Sequence, residues 1–267
     1  MPPVVITGAA HGIGAALARR FAAGSYDVVL ADLDGPALAS VAAEVEAAGQ
    51  SALVVVGDAA TAAGVTGLVD AAVARFGRID VFCANAGIDR GLGLEASEAD
   101  WAASLEVNLM AHVRAAQLLV PRWLETGGGR FIVTASAAGL LTMLTAPAYS
   151  ASKHAAVAFA EWLRATYGHR GIVVQALCPQ GVRTRMLADA GPVAEVLGRE
   201  RVLEPAEVAD AVWEALADDR FLILPHPEVA DYYRSRAADT DAWLAGMGRL
   251  QQKVETHLAG PAPESDT

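Results

Sequence analysis

The sequence is poor in cysteine, with only Cys83 and Cys178 among 267 residues. Both lie in apolar runs of the kind that form buried strands, and they do not form a Cys-x-x-Cys pair. Two cysteines are too few for the disulfide framework of a small secreted protein. We therefore expect both to be reduced thiols in the core.

Lysine is also scarce, because only Lys153 and Lys253 are lysines among the 20 basic side chains. No run of basic residues offsets the formal net charge of −11 or the isoelectric point near 4.9. A chain of this charge repels phosphate backbones and anionic membrane surfaces at long range. Nucleic acid and membranes are therefore not expected partners.

The six histidines show no metal-ligand spacing, so no catalytic metal is expected. No signal peptide is visible, because a strand-like segment follows Met1 almost at once. Residues 131–152 carry no charge and could span a bilayer in length, but Gly139 and Pro147 interrupt them. They are better interpreted as a buried strand, a site-lining loop and a helix start, in a cytoplasmic protein.

Apolar runs rich in β-branched residues alternate with stretches of helical periodicity. The predicted strands are 3–7, 27–32, 52–57, 79–84, 130–135, 171–177 and 221–224, and the predicted helices are 12–24, 35–49, 61–77, 97–125, 149–169 and 205–218. Nearly continuous apolar strands indicate burial on both faces, and right-handed crossovers place helices on each side of one parallel sheet. The predicted fold class is α/β, with a doubly wound Rossmann-type parallel sheet of about seven strands.

No linker or change in composition divides the chain. Residues 1–257 are therefore predicted to form one domain, which ends in a helical segment after the last strand. Residues 258–267 are rich in proline and polar side chains and are predicted to be a disordered tail.

The first predicted strand runs directly into a glycine-rich turn, TGAAHGIG, at the opening of a helix. Gly8, Gly12 and Gly14 permit a tight turn and close backbone approach, and the helix amides favour a pyrophosphate. A glycine cluster alone would carry little weight, but strand, turn and helix occur together here. The segment predicts a dinucleotide site that also includes His11 and Ile13.

The second predicted strand ends at Asp32, eighteen residues after Gly14. A carboxylate at this position can accept hydrogen bonds from an adenosine ribose, but it repels a 2′-phosphate. NAD is therefore favoured over NADP. Asp34 competes for the same role, and either acid could instead cap the next helix. A protonated His11 would offset Asp32, but neutral imidazole is the default near pH 7.

The glycine turn is followed along the chain by four further motifs. They are Asn85-Ala86-Gly87, Asn108, Ser136 and the YSASK segment at 149–153. In this order and spacing the chain resembles the short-chain dehydrogenase/reductase family over residues 3 to about 225. The GxxxGxG spacing resembles the compact, single-domain branch of that family.

The resemblance implies roles for residues that follow the third and fourth predicted strands. Asp58 and Ala59 would lie near the adenine, while Asn85, Ala86 and Gly87 would support the cofactor and the central sheet. Asn and Gly are also ordinary turn residues, so the tripeptide alone is a weak signal.

The segment after the sixth predicted strand, PQGVRT, also resembles the family's cofactor-contact pattern. Pro179, Val182 and Thr184 match that pattern and are expected to bind the cofactor. Gln180 stands where the family typically has glycine, so this turn departs from the pattern.

Tyr149 and Lys153 are four residues apart and share one face of a predicted helix. A tyrosine that acts as a base near neutral pH needs a pKa roughly three units below its usual value, and a nearby cation supplies part of that shift. Lysine is a compact charge with three donors, whereas arginine is a wide fork. A surface lysine on an amphipathic helix is the alternative interpretation.

Two further catalytic roles come from the family resemblance. Ser136 would hydrogen-bond the reacting oxygen, and Asn108 would position a water molecule that connects Lys153 to solvent. The resemblance thus implies oxidation of a secondary alcohol, or reduction of a ketone, with Tyr149 as the general acid and base.

The substrate is expected to be a small-to-medium, largely apolar alcohol or ketone, because apolar segments at 137–144 and 186–197 flank the site. Arg183 and Arg185 could meet an acidic substrate or could be solvated surface residues. A 3-oxoacyl thioester reductase and a non-catalytic, NAD-responsive regulator are the alternative functions. The resemblance further implies a homodimer or homotetramer.

Overall fold

The computed structural model describes residues 1–189 and 201–259. It contains seven strands, β1 to β7, at Pro3–Thr7, Asp27–Asp32, Ala52–Val56, Val81–Ala84, Gly129–Thr134, Ile172–Leu177 and Leu222–Ile223. All neighbouring strands are parallel, in the order β3-β2-β1-β4-β5-β6-β7. The predicted seven-stranded, doubly wound sheet is confirmed.

Helices connect the strands and continue beyond the last one. In chain order, α1 to α11 are Gly12–Ala23, Gly35–Ala47, Ala62–Phe76, Glu98–Leu105, Ala111–Thr126, Ala138–Leu141, Pro147–Tyr167, Arg185–Asp189, Pro205–Ala215, Glu228–Ala238 and Thr240–Ala259. Single 3₁₀ turns lie at Gly93–Glu95 and Gly168–Arg170.

The helix predicted over 97–125 is present but is not α-helical throughout. A π turn, Glu106–Met110, separates α4 from α5, and the first of these helices begins with a capping box at Ser97 and Asp100. A π turn adds one residue to a helical turn and hardly disturbs the apolar periodicity, so sequence pattern does not reveal it. Asn108 lies inside this turn.

The sheet separates two apolar layers. The helices α1, α2 and α9 cover one face, while α3, α5 and α7 cover the other. Phe82 of β4 and Phe131 of β5 stack on the second face with ring centroids 5.5 Å apart, and both are fully buried. Because helices cover both faces, the apolar strands run without the alternation of a half-exposed sheet, except in the edge strand β3, where Val54 and Val56 are exposed.

The charge-free stretch at 131–152 is divided among several elements. It contains most of β5, the short helix α6, a loop and the start of α7. Across the described ranges, no helix combines the length and the hydropathy that a membrane span requires.

Two helices follow the last strand, as the composition of that segment indicates. Tyr232 of α10 and Trp243 of α11 contact each other with ring centroids 6.4 Å apart, and Arg236 donates a hydrogen bond to the Leu140 carbonyl beside α7. Val254 of α11 is buried. The last helix, α11, extends to Ala259, and the disordered tail predicted for 258–267 stays a prediction, since residues 260–267 lie outside the described ranges.

Candidate active site

A cavity of about 1930 Å³ opens at the carboxyl edge of the sheet. This volume exceeds the roughly 300–1,000 Å³ of a typical small-molecule site, so it has room for a dinucleotide and a second molecule. Fourteen of the predicted site residues line it: Gly8, His11, Gly12, Ile13, Asp32, Asn85, Ala86, Gly87, Ser136, Tyr149, Lys153, Pro179, Val182 and Thr184. Four do not line it: Gly14, Asp58, Ala59 and Asn108.

The glycine turn between β1 and α1 is a close backbone packing site. Gly8 and Gly12 have φ values of 65° and 50°, which favour glycine. Gly14 does not reach the cavity, but a Cβ added there would lie 1.9 Å from the Gly8 carbonyl oxygen. Thr184 reaches the same turn, because a Cβ on Gly12 would lie 3.0 Å from its side chain. The turn therefore depends on all three glycines.

Asp32 lies at the end of β2 and is held by backbone amides. Its Oδ2 accepts a hydrogen bond from the Ala10 amide at 3.1 Å, and its Oδ1 accepts one from the Leu33 amide at 2.7 Å. These contacts fix the carboxylate against the glycine turn, where it lines the cavity. Because Oδ1 also accepts from the Asp34 amide at 3.2 Å, it is Oδ2 that keeps a lone pair for a hydroxyl.

Asp34 has a different position from Asp32 and does not line the cavity. Its carboxylate bonds the His11 ring at 2.8 Å and caps α2 through the Ala37 amide at 3.1 Å, and these two contacts hold the pKa of Asp34 below its usual value. The other ring nitrogen of His11 lies 3.2 Å from the Arg185 guanidinium. His11 thus joins the glycine turn to the segment after β6.

Asn85 joins the ends of three strands at the point where the chain order of the sheet reverses. Its side-chain amide donates to the Thr7 carbonyl at 3.0 Å, and its Oδ1 accepts from the Thr134 hydroxyl at 3.1 Å. The Thr7 hydroxyl accepts hydrogen bonds from the amides of Asn85 and Ala86, both at 3.0 Å. Thr7 and Thr134 were missed by sequence reasoning, although each is a hydroxyl at the carboxyl end of a buried strand.

Asn108 is fully buried and connects two segments of the site. Its side chain pairs with both backbone groups of Ile88 at 2.9 Å and donates to the Ser152 hydroxyl at 3.0 Å. A Cβ added to Gly87 would lie 3.2 Å from Asn108 Oδ1 and equally far from Lys153 Nζ. Asn108 and Lys153 therefore approach each other across Gly87.

The ammonium of Lys153 is buried, with the residue only 2% exposed. It donates to the Thr134 carbonyl at 2.8 Å and lies 5.6 Å from the centre of the Tyr149 ring. Burial lowers the pKa of Lys153 to about 8, because a charged amine loses hydration inside the protein. This lysine is part of the site and does not lie on a solvated helix face.

Tyr149 is also buried and contacts Ser136. Burial raises the pKa of Tyr149 to about 12, the hydrogen bond with Ser136 lowers it, and the charge of Asp89 raises it. The effect of desolvation on the pKa thus exceeds the effect of the contacts that stabilise the phenolate. The pKa of Tyr149 is raised, whereas a base that acts near neutral pH needs a lowered pKa. The protein's own groups hold Tyr149 protonated at neutral pH.

The turn after β6 supports the same edge. The Pro179 carbonyl accepts from the Ala137 amide at 2.8 Å, next to Ser136, and the Gln180 amide donates to the ring of buried His226 at 3.1 Å. Gln180 is not among the residues with positive φ. A side chain therefore fits this position without backbone strain, although the family pattern has glycine there.

Arg183 and Arg185 have separate environments. Arg183 is exposed and pairs with Glu204 at 2.5 Å, whereas Arg185 lines the cavity beside His11. The apolar segment predicted to flank the site at 186–197 is described only as far as Asp189, and its remainder lies outside the described ranges. Met186, Leu187 and Asp189 line the cavity. Among the described residues, no group of His, Cys, Asp or Glu is arranged to hold a metal ion.

A doubly wound sheet, a glycine turn at its switch point and a Ser-Tyr-Lys set at its carboxyl edge define a dinucleotide-dependent oxidoreductase. The family model described as short chain dehydrogenase matches residues 3–193. The chain belongs to the short-chain dehydrogenase family, and the family predicted from its motifs is confirmed.

Relatives extend over nearly the whole chain. A 1-deoxy-11-beta-hydroxypentalenate dehydrogenase from Streptomyces exfoliatus is 38% identical, over 98% of this chain and 92% of the relative. A short-chain dehydrogenase/reductase from Burkholderia phymatum in complex with NAD is 32% identical, with a TM-score of 0.84 over 90% of this chain and 94% of that one. L-Sorbose reductase from Gluconobacter frateurii, complexed with NADPH and L-sorbose, is 26% identical, with a TM-score of 0.75 over 84% and 93%. A nicotinamide cofactor is common to these solved structures.

The glycine turn generates a test of cofactor binding. In Gly14→Ala the added methyl group meets the Gly8 carbonyl, so the turn must shift and we expect the affinity for the nicotinamide dinucleotide to fall by at least about tenfold. Isothermal titration calorimetry measures this affinity. Gly67→Ala is the matched control, because Gly67 is an exposed position of α3 with nothing within 4 Å of the added Cβ. Equal affinity in both variants would contradict the role of Gly14.

His112 generates a test of stability against pH. Burial is the main cause that lowers the pKa of His112 to about 3, and the charge of Lys153 adds to it, whereas an unfolded histidine titrates near about 6.5. The unfolded chain therefore binds the additional proton between these values, and the free energy of unfolding falls as pH falls below about 6.5 by up to ~1.4 kcal/mol per pH unit.

Replacement of this imidazole should remove that dependence. We expect urea denaturation of His112→Leu to show a flatter decline between about pH 6.5 and pH 4.5 than the wild type shows. His169→Leu, at an exposed histidine, is the control and should retain the wild-type slope. An unchanged slope in His112→Leu would show that another group causes the acid sensitivity.

Proposed function

We propose that the protein is an NAD-dependent dehydrogenase that interconverts a secondary alcohol and a ketone on a largely apolar substrate. The observation that carries this proposal is the convergence of Ser136, Tyr149 and Lys153 on one wall of a cavity whose other wall is the glycine turn. Membership of the short-chain dehydrogenase family supports a dehydrogenase, and the site supports the assignment of roles.

Each side chain of the set has a task that its position suits. Bound nicotinamide would exchange a hydride with the substrate carbon. Ser136 orients the substrate oxygen next to the Tyr149 hydroxyl, which it already contacts. Tyr149 donates its proton to the oxygen of a ketone, or takes the proton from an alcohol as hydride leaves the carbon. Lys153 holds positive charge beside the phenol ring and stabilises the phenolate.

The protonation state of Tyr149 favours different directions at different pH values. Because its raised pKa keeps the phenol protonated at neutral pH, the Tyr149 hydroxyl can donate a proton to a ketone. Oxidation needs the phenolate, whose formation requires loss of a proton from the buried pair. Asn108, in the π turn, and Lys153 approach each other at Gly87, and we propose that the proton leaves there.

The choice of NAD rests on Asp32. Its carboxylate lines the cavity at the end of β2 and would accept hydrogen bonds from an adenosine ribose, while its charge would repel a 2′-phosphate. Asp58 and Ala59, which the family resemblance assigns to adenine, do not line the cavity. In this proposal the adenosine is therefore positioned by the hydrogen bonds between its ribose and Asp32.

The substrate class rests on the cavity wall and on the relatives. Leu141, Met143, Leu144 and Trp243 supply apolar surface beyond Ser136 and Tyr149. The dehydrogenase from Streptomyces exfoliatus is named for a hydroxypentalenate, the anion of a hydroxylated acid. We therefore propose that alicyclic secondary alcohols, with and without a carboxylic acid group, are the first compounds to test. A screen of such compounds with NAD and with NADP, followed by the absorbance of the reduced nicotinamide, measures this directly.

Removal of the phenol hydroxyl tests the chemical role of Tyr149. In Tyr149→Phe we expect kcat for alcohol oxidation to fall by about 10² to 10⁴, because the general acid and base is lost. Affinity for NAD, measured by calorimetry, should remain close to that of the wild type. Tyr167→Phe, at a tyrosine outside the cavity, is the control. Undiminished turnover in Tyr149→Phe would refute the assignment.

Removal of the carboxylate at the end of β2 tests the cofactor. In Asp32→Ala we expect kcat/KM for NAD to fall by about tenfold or more, since a hydrogen bond to a charged group contributes about 1.5–3 kcal/mol. The ratio of kcat/KM values for NADP and NAD should rise. Asp34→Asn is the control, because it preserves an oxygen that caps α2 and lies outside the cavity. A wild-type preference for NADP would contradict the proposed cofactor.

A further inference from the structure

The cavity is basic although the chain as a whole is acidic. Among the described residues that line it, three are acidic and six are basic: Arg90, Lys153, Arg185, Arg201, Arg249 and Lys253. Both lysines of the chain are in this set, whereas the formal net charge of the chain is −11. The local excess of positive charge is therefore opposite in sign to the net charge of the chain.

Several of these cations already have partners elsewhere in the site. Lys153 donates to the Thr134 carbonyl, Arg185 contacts His11, and Arg201 pairs with Glu207. Within the described part of the chain, no carboxylate forms an ion pair with Arg249 or Lys253. These two cations are available to a ligand.

Arg249 and Lys253 lie on one stripe of α11. The lining residues Arg249, Gln252, Lys253 and Thr256 have the i, i+3, i+4, i+7 spacing of a single helix face. The acidic residues of the same helix, Asp241 and Glu255, do not line the cavity. Charge is thus segregated on α11, with its cations towards the cavity.

Two cations at i, i+4 repel each other, so their pairing has a small cost in a helix without a ligand. An anion between them would relieve that repulsion and accept charge-assisted hydrogen bonds from both. The Gln252 side chain adds an uncharged donor beside the pair. Apolar surface adjoins the stripe, because Trp243, Met247 and Leu250 of the same helix also line the cavity.

An acidic side chain of the cavity restricts where such an anion could lie. Asp89 lines the cavity, and its charge acts on Tyr149. A substrate carboxylate next to the reacting oxygen would meet this acid and be repelled. The anion is therefore better accommodated away from the reacting carbon, towards α11.

We propose that Arg249 and Lys253 bind a carboxylate of the substrate, so that the preferred substrates are hydroxy acids or oxo acids whose apolar framework separates the carboxylate from the reacting carbon. This inference rests on the proposed function, since it names the substrate class of the same site. It assigns specificity to the C-terminal helix, outside the motifs that carry cofactor binding and proton transfer.

The test compares each acid with its neutral ester. Hydroxylated alicyclic carboxylates of graded length, from a hydroxycyclohexane carboxylate to a hydroxysteroid carboxylate, are assayed beside their methyl esters with NAD. We expect wild-type kcat/KM to favour the acid once the framework is long enough for the carboxylate to reach α11. The preference should weaken as salt concentration rises, because the pair is exposed.

Charge removal then isolates the two side chains. In Arg249→Gln and Lys253→Gln we expect kcat/KM for the preferred acid to fall by about tenfold each, with the ester unchanged. Arg122→Gln, at an exposed arginine outside the cavity, should retain the acid preference. Equal losses for acid and ester, or no loss for either, would overturn the proposal.

Binding provides a reading that does not require turnover. Calorimetric titration of the same acids and esters into the NAD-loaded protein should show tighter binding of an acid, and the Arg249→Gln/Lys253→Gln double variant should lose that difference. If the acid binds selectively but no alcohol is oxidised, the proposed function fails while the anion site stands. If alcohols are oxidised but acid and ester bind alike, the anion site fails alone.

Discussion

The site depends on the placement of one buried ammonium, that of Lys153. Lys153 donates to the Thr134 carbonyl at 2.8 Å, and no carboxylate neutralises it within the described part of the chain. A buried charge with neutral partners is unfavourable, and this is why the pKa of Lys153 falls to about 8. The folded structure maintains this unfavourable group because α7 is packed against β5 and β6 along an apolar layer.

The same hydrogen bond couples α7 to the switch point of the sheet. Thr134 accepts from Lys153 with its carbonyl and donates to Asn85 with its hydroxyl, and Asn85 in turn bonds the end of β1. A displacement of α7 would therefore reach the glycine turn through three consecutive contacts. The elements proposed to hold the cofactor and the elements proposed to move the proton are one hydrogen-bonded unit.

Much of the fold could be predicted because its apolar strands are buried on both faces and are separated by helices of ordinary length. Predicted and observed bounds of β1 and β2 coincide, and the helix from Pro147 carries Tyr149 and Lys153 as their spacing indicates. The π turn around Asn108 could not be predicted, since an extra residue in one turn leaves the apolar periodicity almost unchanged. The roles of Asp32 and Asp34 remained open in the sequence, since both follow β2 and either could cap α2; only their contacts separate them.

The sequence by itself determined the elements, their order along the chain and the residue types available at the carboxyl edge of the sheet, because these follow from local periodicity and spacing. Tertiary structure alone decided the electrostatics. It buried Tyr149 deeply enough that desolvation exceeds the effect of its neighbours, it placed His226 beneath Gln180, and it brought Arg249 and Lys253 to the cavity from about a hundred residues away. Burial and long-range proximity depend on how helices pack on the sheet, and no local pattern of residues records that packing.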